Sequence, residues 1–166
     1  MNVRMMARCA LFAAFTAVCA WISIPVPPVR MTLQTFAMAL CLLTLGGKWG
    51  CRSIGLYLLL GIVGMPVFSG FRGGLGALLD VTGGFLWGFG IGGLVFWLLE
   101  RKSRVAALAA FQLCCYGCGC GWFCVYTGRC AIAAAILGCV VPYLIPDGIK
   151  LGLAWMLAKR LRKRIQ

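Results

Sequence analysis

Tyr143-Leu144-Ile145-Pro146-Asp147-Gly148-Ile149-Lys150-Leu151-Gly152-Leu153-Ala154-Trp155-Met156 sets an acid and a base three residues apart inside an otherwise apolar run. Positions i and i+3 of a helix share a face, so Asp147 and Lys150 point the same way, and Pro146 suits the first turn of a helix whose positive end favours the carboxylate. A charge well inside a bilayer costs about 3 kcal/mol on insertion scales, so such side chains face a partner, a cavity or a substrate. Two readings follow: a self-neutralising pair with Lys150 extended towards headgroups, or the charged wall of a binding site.

The surrounding composition puts that run in a membrane. The 166 residues are 63% hydrophobic and only 11% charged, which is not a soluble composition. With no histidine, imidazole base chemistry and His-ligated zinc are excluded. The net charge of +13 would suggest nucleic acid in a soluble protein, but here the bases fall in short clusters between apolar runs and read as topology signals. Arg4 and Arg8 before an apolar run give the N-terminus a signal-peptide look. The run continues through Trp21-Ile22-Ser23-Ile24 and is read as a retained first span.

Charged residues divide the rest into pieces that can be compared with the roughly 20 residues needed to cross a bilayer. Uncharged stretches of 17, 19, 19 and 24 residues lie between Arg30 and Lys48, Arg52 and Arg72, Asp80 and Glu100, and Arg104 and Arg129. The expectation is one all-α membrane domain over 1–166 with six spans, near 7–24, 33–47, 53–69, 83–99, 105–127 and 146–162. The Val141-Pro142 and Ile145-Pro146 steps should break the last piece and leave a short interfacial helix at 130–140. Six spans put both termini on one side. That side collects twelve bases (Arg4, Arg8, Lys48, Arg52, Arg101, Lys102, Arg104, Lys159, Arg160, Arg162, Lys163, Arg164) against Arg30, Arg72 and Arg129 on the other. The positive-inside rule then makes both termini cytoplasmic and puts Asp147 and Lys150 near the outer face.

Two outer connections are unlike plain hairpins. Ile24-Pro25-Val26-Pro27-Pro28-Val29-Arg30-Met31-Thr32-Leu33-Gln34-Thr35 is stiffened by three prolines and delivers Gln34 and Thr35 to the mouth of the second helix. The other runs from Gly64-Met65-Pro66-Val67-Phe68-Ser69-Gly70-Phe71-Arg72-Gly73-Gly74-Leu75-Gly76 to Thr82-Gly83-Gly84. Its glycines allow backbone to approach a bound group, and Arg72 can fork onto a carboxylate. Both read as walls of a site, with a packed lid that touches no ligand as the alternative for the glycine loop.

Other patterns are weaker. Cys115-x-x-Cys118 has no further ligands at zinc spacing, and the cysteines read as small packing residues. Gly88-Phe89-Gly90-Ile91-Gly92-Gly93 matches dinucleotide spacing but lies inside a span, where Gly88 and Gly92 suit close helix packing instead. Ala10, Ala13, Ala14 and Ala17 form a flat strip able to seat a helix of this chain or of a partner. A phosphate-binding G-x-x-x-x-G-K-[ST] does not occur, so energy for uphill transport would come from another subunit or an ion gradient. Rival readings make Asp80 and Asp147 the paired carboxylates of an intramembrane aspartyl enzyme, although Asp147 already has a basic neighbour, or make the chain a structural or assembly subunit with no small-molecule ligand.

Ile22-Ser23-Ile24-Pro25-Val26-Pro27-Pro28-Val29 running into Thr32-Leu33-Gln34-Thr35-Phe36, Gly64-Met65-Pro66-Val67-Phe68-Ser69-Gly70 with Gly73-Gly74-Leu75-Gly76, Thr82-Gly83-Gly84-Phe85, and Pro146-Asp147-Gly148-Ile149-Lys150 together resemble the BioY family, biotin-binding S components of energy-coupling-factor (ECF) transporters. The resemblance implies a non-enzymatic protein without a cofactor or metal that captures biotin from outside a bacterial plasma membrane. It also implies a transmembrane coupling subunit and two ATPases as partners, docked on the alanine strip, and no nucleic acid. It makes Gln34, Asp147 and Lys150 ligand contacts and Gly73, Gly74, Gly83 and Gly84 the lid and its hinge. With Thr35, Ser69, Arg72, Thr82 and Tyr143 these form the expected binding set. Arg72 and Asp80 depart from the family's usual residues and are candidates to pair with each other.

Overall fold

The computed structural model describes residues 3–25, 29–128 and 132–165. Val26, Pro27, Pro28 and Arg129 lie outside these residues, as do the first two positions of the helix expected at 130–140. Eight helices and one two-stranded ribbon follow in order: α1 Val3–Trp21, β1 Ser23–Ile24, β2 Met31–Thr32, α2 Gln34–Leu45, α3 Gly47–Ile62, α4 Leu75–Leu79, α5 Gly83–Leu99, α6 Arg104–Thr127, α7 Ile132–Cys139 and α8 Val141–Ile165.

The α2 helix is apolar all round, as a fully enclosed helix must be. Ten of its twelve residues are buried, between α8 on one side and α1 and α3 on the other. Its ends are set by backbone geometry. The β1–β2 ribbon pairs Ser23 with Thr32 and Ile24 with Met31, closing the proline-rich connection and aiming Gln34 inward. At the other end Gly46 takes φ +81°, a conformation open to glycine, and α3 starts at the next residue.

That immediate restart moves the third helix from the expected 53–69 to Gly47–Ile62. Lys48 and Arg52 therefore ride on its first turns, with the Arg52 guanidinium 4.4 Å from the centre of the Trp49 ring. The chain beyond Ile62 is loop, in which Val67 and Phe68 turn inward and are buried. The last helix also starts earlier than expected, at Val141 rather than Pro146. Pro142 falls in its first turn, where a missing N–H costs nothing, and Pro146 deprives only that same turn of a hydrogen bond.

Between helices in lipid there is no hydrophobic drive, so close backbone approach must supply the contact energy. The most extensive helix pair, α5 with α6, follows that rule. A methyl added at Gly88 would meet the Cys115 backbone at 2.9 Å, and one at Gly92 the Phe111 carbonyl at 2.9 Å. Phe96, Phe111, Tyr57 and Met38 fill the centre as the largest fully buried side chains.

The alanine strip on α1 does not survive as one surface. Ala13 (1% exposed) and Ala17 (6%) are consumed by packing inside the protein, where α1 meets α2 and α3. Ala10 and Ala14 form the neighbouring row and remain exposed. A partner helix can therefore reach only half of the expected docking set.

The protein is a helical membrane protein. Val3–Trp21, Arg104–Thr127 and the stretch Ile136–Lys163 are each long and apolar enough to cross a bilayer, while α2 and α5 are apolar but shorter.

Candidate functional site

A cavity of about 710 Å³, counting its open mouth, lies between the ribbon, the glycine-rich loop and the inner faces of α2, α5, α6 and α8. Among the expected binding residues, Gln34, Thr35, Ser69, Arg72, Thr82, Tyr143, Asp147 and Lys150 line it.

Asp147 and Lys150 sit on one face of α8, and both are buried (5% and 8% exposed). The Lys150 ammonium donates to Asp147 Oδ1 at 2.9 Å and to the Thr32 carbonyl at 2.8 Å. Thr35 Oγ1 also donates to Oδ1, at 3.4 Å. The other carboxylate oxygen accepts from Gln112 Nε2 at 2.9 Å and Tyr116 Oη at 2.7 Å. A buried ion pair is tolerable when its remaining lone pairs are satisfied, and four donors from three helices do so here. The alternative of Lys150 reaching to headgroups fails, because its ammonium turns inward to Asp147 and the ribbon.

Gln34 plays a tying role. Thr32 Oγ1 donates to its carbonyl at 3.0 Å, its amide donates to Tyr57 Oη at 2.6 Å, and Tyr57 Oη donates to the Val67 carbonyl at 3.1 Å. This relay couples the proline-rich connection to the glycine-rich loop across the cavity floor. Tyr143 Oη donates to the Val29 carbonyl and holds the same connection against α8.

Arg72 lines the mouth with its guanidinium already engaged. It pairs with Asp80, donates to Thr82 Oγ1 at 3.2 Å and to the Ser69 carbonyl at 3.4 Å. Desolvation pushes the Asp80 carboxyl up, but the Val81 N–H at 2.7 Å, the Arg72 guanidinium and the charge of Arg30 together hold it below its ordinary value. With Asp80 bound to Arg72 and Asp147 to Lys150, each acid has its own cationic partner, and the aspartyl-enzyme reading loses its dyad.

The four lid glycines are absent from the lining. Gly73 packs against the Gly64 and Met65 carbonyls, Gly83 against Leu78, and Gly84 against Trp122 and Cys118 of α6. Gly73, Gly83 and Gly84 leave no room for a Cβ because protein backbone or side chain fills it, whereas Gly74 has open space around it and a φ of +85° that suits glycine. Gly84 seats the start of α5 on α6, and the Gly74 and Gly83 N–H groups donate to the Gly61 and Asp80 carbonyls. Above them Phe71 adopts a left-handed backbone (φ 57°), uncommon outside glycine. Its ring stacks on Trp21 at the end of α1, with centroids 5.1 Å apart, and the Trp21 indole donates to the Pro66 carbonyl at 2.8 Å.

Several lining residues lie outside the expected set. Phe68, Phe85, Leu86 and Phe89 make an apolar wall, and Gln112, Cys115 and Tyr116 bring α6 into the site. Gln112 stands out because its Oε1 is buried with no hydrogen-bond partner among the described residues, while its nitrogen serves Asp147. A buried unmet acceptor costs about 1–3 kcal/mol, and a donor on a guest would relieve it. The sequence signal was available: Gln112 is the lone amide of its span, one helical turn before Tyr116.

These features define an all-helical membrane protein with a cavity that is apolar on one wall and ion-paired on another. A sequence model of the BioY family matches residues 1–166. The biotin transporter BioY of Thermotoga maritima is 39% identical, over 97% of this chain and 97% of its own length. The probable biotin transporter BioY of Pyrococcus horikoshii is 38% identical over 98% of each chain. The solved S-component for biotin from an ECF-type ABC transporter shares the fold, with a TM-score of 0.86 at 23% identity, covering 98% of this chain and 92% of that one. The chain belongs to the BioY family.

Proposed function

We propose that this protein binds biotin in the cavity between the ribbon, the glycine-rich loop and α8, and serves biotin uptake as the S component of an ECF-type transporter. The observation that carries the reading is the buried Asp147–Lys150 pair facing a cavity with an aromatic wall, in a chain of the BioY family. Biotin has a urea that donates and accepts, an apolar thioether ring and a carboxylate tail. A urea N–H matches the unmet Gln112 acceptor, the ring matches Phe68, Phe85 and Phe89, and the carboxylate is matched by the cations Lys150 and Arg72.

The chain crosses a bacterial plasma membrane six times, with α7 at the interface, both termini in the cytoplasm and the cavity mouth outside. The twelve-to-three distribution of bases supports this orientation. A transmembrane coupling subunit and two ATPases supply the energy, meeting the exposed Ala10–Ala14 row of α1. No covalent change is made to the ligand.

Titration of biotin into the purified, detergent-solubilised protein tests the proposal. Saturable binding is expected, weakened tenfold or more, by about 1.4 kcal/mol at least, in Asp147→Asn and Lys150→Ala. Unaltered affinity in both variants removes the site assignment, and displacement of biotin by another vitamin at lower concentration reassigns the ligand.

A further inference from the structure

A second cleft lies at the other end of the helix bundle. Leu43 is nine residues along α2 from Gln34, and Lys159 nine along α8 from Lys150, which at 1.5 Å per residue puts this cleft about 14 Å below the cavity floor. It is lined by Leu43, Trp155 and Ala158 as an apolar floor and by Arg104, Lys159 and Arg162 as a cationic rim, with about 320 Å³ of open space including its mouth.

Among the described residues no acid forms an ion pair with any of the three cations. The chain has only three acidic side chains, and each is committed elsewhere: Asp80 to Arg72, Asp147 to Lys150, and Glu100 to the Gly47 N–H at 2.8 Å. Arg104 opens α6, whose positive helix end adds to the field, and Ser103 Oγ occupies just one of the free amides, that of Ala106. Lys159 lies 5.5 Å from the Trp155 ring, and an indole at this depth marks the membrane–water boundary.

We propose that this cleft is a binding site for the phosphate headgroup of an anionic lipid. The guanidinium groups of Arg104 and Arg162 fork onto the phosphate, Lys159 adds a point charge, and the first acyl carbons lie on Leu43, Ala158 and Trp155. Basic pockets between membrane helices on the cytoplasmic side suit such headgroups. An acidic segment of a protein partner would need no apolar floor at the depth of the indole.

Native mass spectrometry and thermal melts of the detergent-solubilised protein, with phosphatidylglycerol, phosphatidylcholine or inorganic phosphate added, test the proposal. Phosphatidylglycerol is expected to be retained and to raise Tm, whereas the other two do neither. Replacing Arg104, Lys159 and Arg162 together by Gln should weaken phosphatidylglycerol binding about fivefold per charge removed, with biotin affinity unchanged as the check on folding. A matched triple of exposed bases on helices that do not line the cleft, Arg4→Gln with Lys48→Gln and Arg52→Gln, should keep the preference. Equal protection by phosphatidylcholine, an equal loss in both triples, or an equal effect of inorganic phosphate would overturn the lipid site.

Discussion

Asp147 is held by four donors and Lys150 by two acceptors, so removing either charge strands the other inside the protein. Breaking a buried pair from one side costs about 3–5 kcal/mol, while replacing both partners by neutral groups of similar size costs much less. Asp147→Asn should therefore lower Tm more than the double change Asp147→Asn, Lys150→Met, although both abolish tight biotin binding. A double-mutant melt series checks this. Gln112→Leu should weaken biotin binding by up to about tenfold, the worth of one neutral hydrogen bond, measured by calorimetry. At the mouth, Asp80 has a folded-state pKa below its ordinary 3.8. Its link to Arg72 therefore contributes stability above that ordinary value, and the contribution is lost as pH falls through the lowered one. Melts of the native protein and Asp80→Asn should differ by no more than about 1 kcal/mol at neutral pH and converge once the pH has fallen through the lowered pKa.

At the scale of elements, α5 and α6 are joined through glycines that admit no side chain. Gly88→Val should cost about 1–3 kcal/mol by overpacking, read as a lower Tm, whereas Gly90→Ala, whose added methyl meets only Leu58 at 3.5 Å, should be neutral. The helical, apolar character of these segments was legible because charged residues mark where burial stops, and the Gly88–Gly92 contact because small residues four apart form a groove. The ends of α3 and α8 were not. They depend on whether Gly46 permits a turn with no intervening loop, and on whether a proline falls in a first turn or an interior one. Asp147 and Lys150 could be read from their cost in lipid. Gln112 carries no comparable penalty and was legible only as the lone amide of its span; that its nitrogen reaches Asp147 on α8 depends on the tertiary arrangement of the helices. For the lid glycines, a sequence shows that backbone comes close, but not to what.

For the whole molecule, the charge distribution and the exposed faces make separable demands. Ala10 and Ala14 are exposed on α1 while Ala13 and Ala17 are sealed within. Replacing Ala10 and Ala14 together by Leu should leave biotin affinity unchanged and reduce co-purification with the ATPase subunits. The same change at Ala13 and Ala17 should instead lower Tm, by overpacking the junction with α2 and α3. Equal behaviour of the two pairs would contradict the division of the strip.

The stack of Trp21 on Phe71, together with the indole bond to Pro66, clips the far end of the first helix to the rim of the chamber. The rim cannot swing aside while that clip holds unless the helix travels with it. Any force that tilts this helix, applied at its opposite end or along its flank, is thus delivered to the entrance as leverage, and admission and release share one mechanical handle.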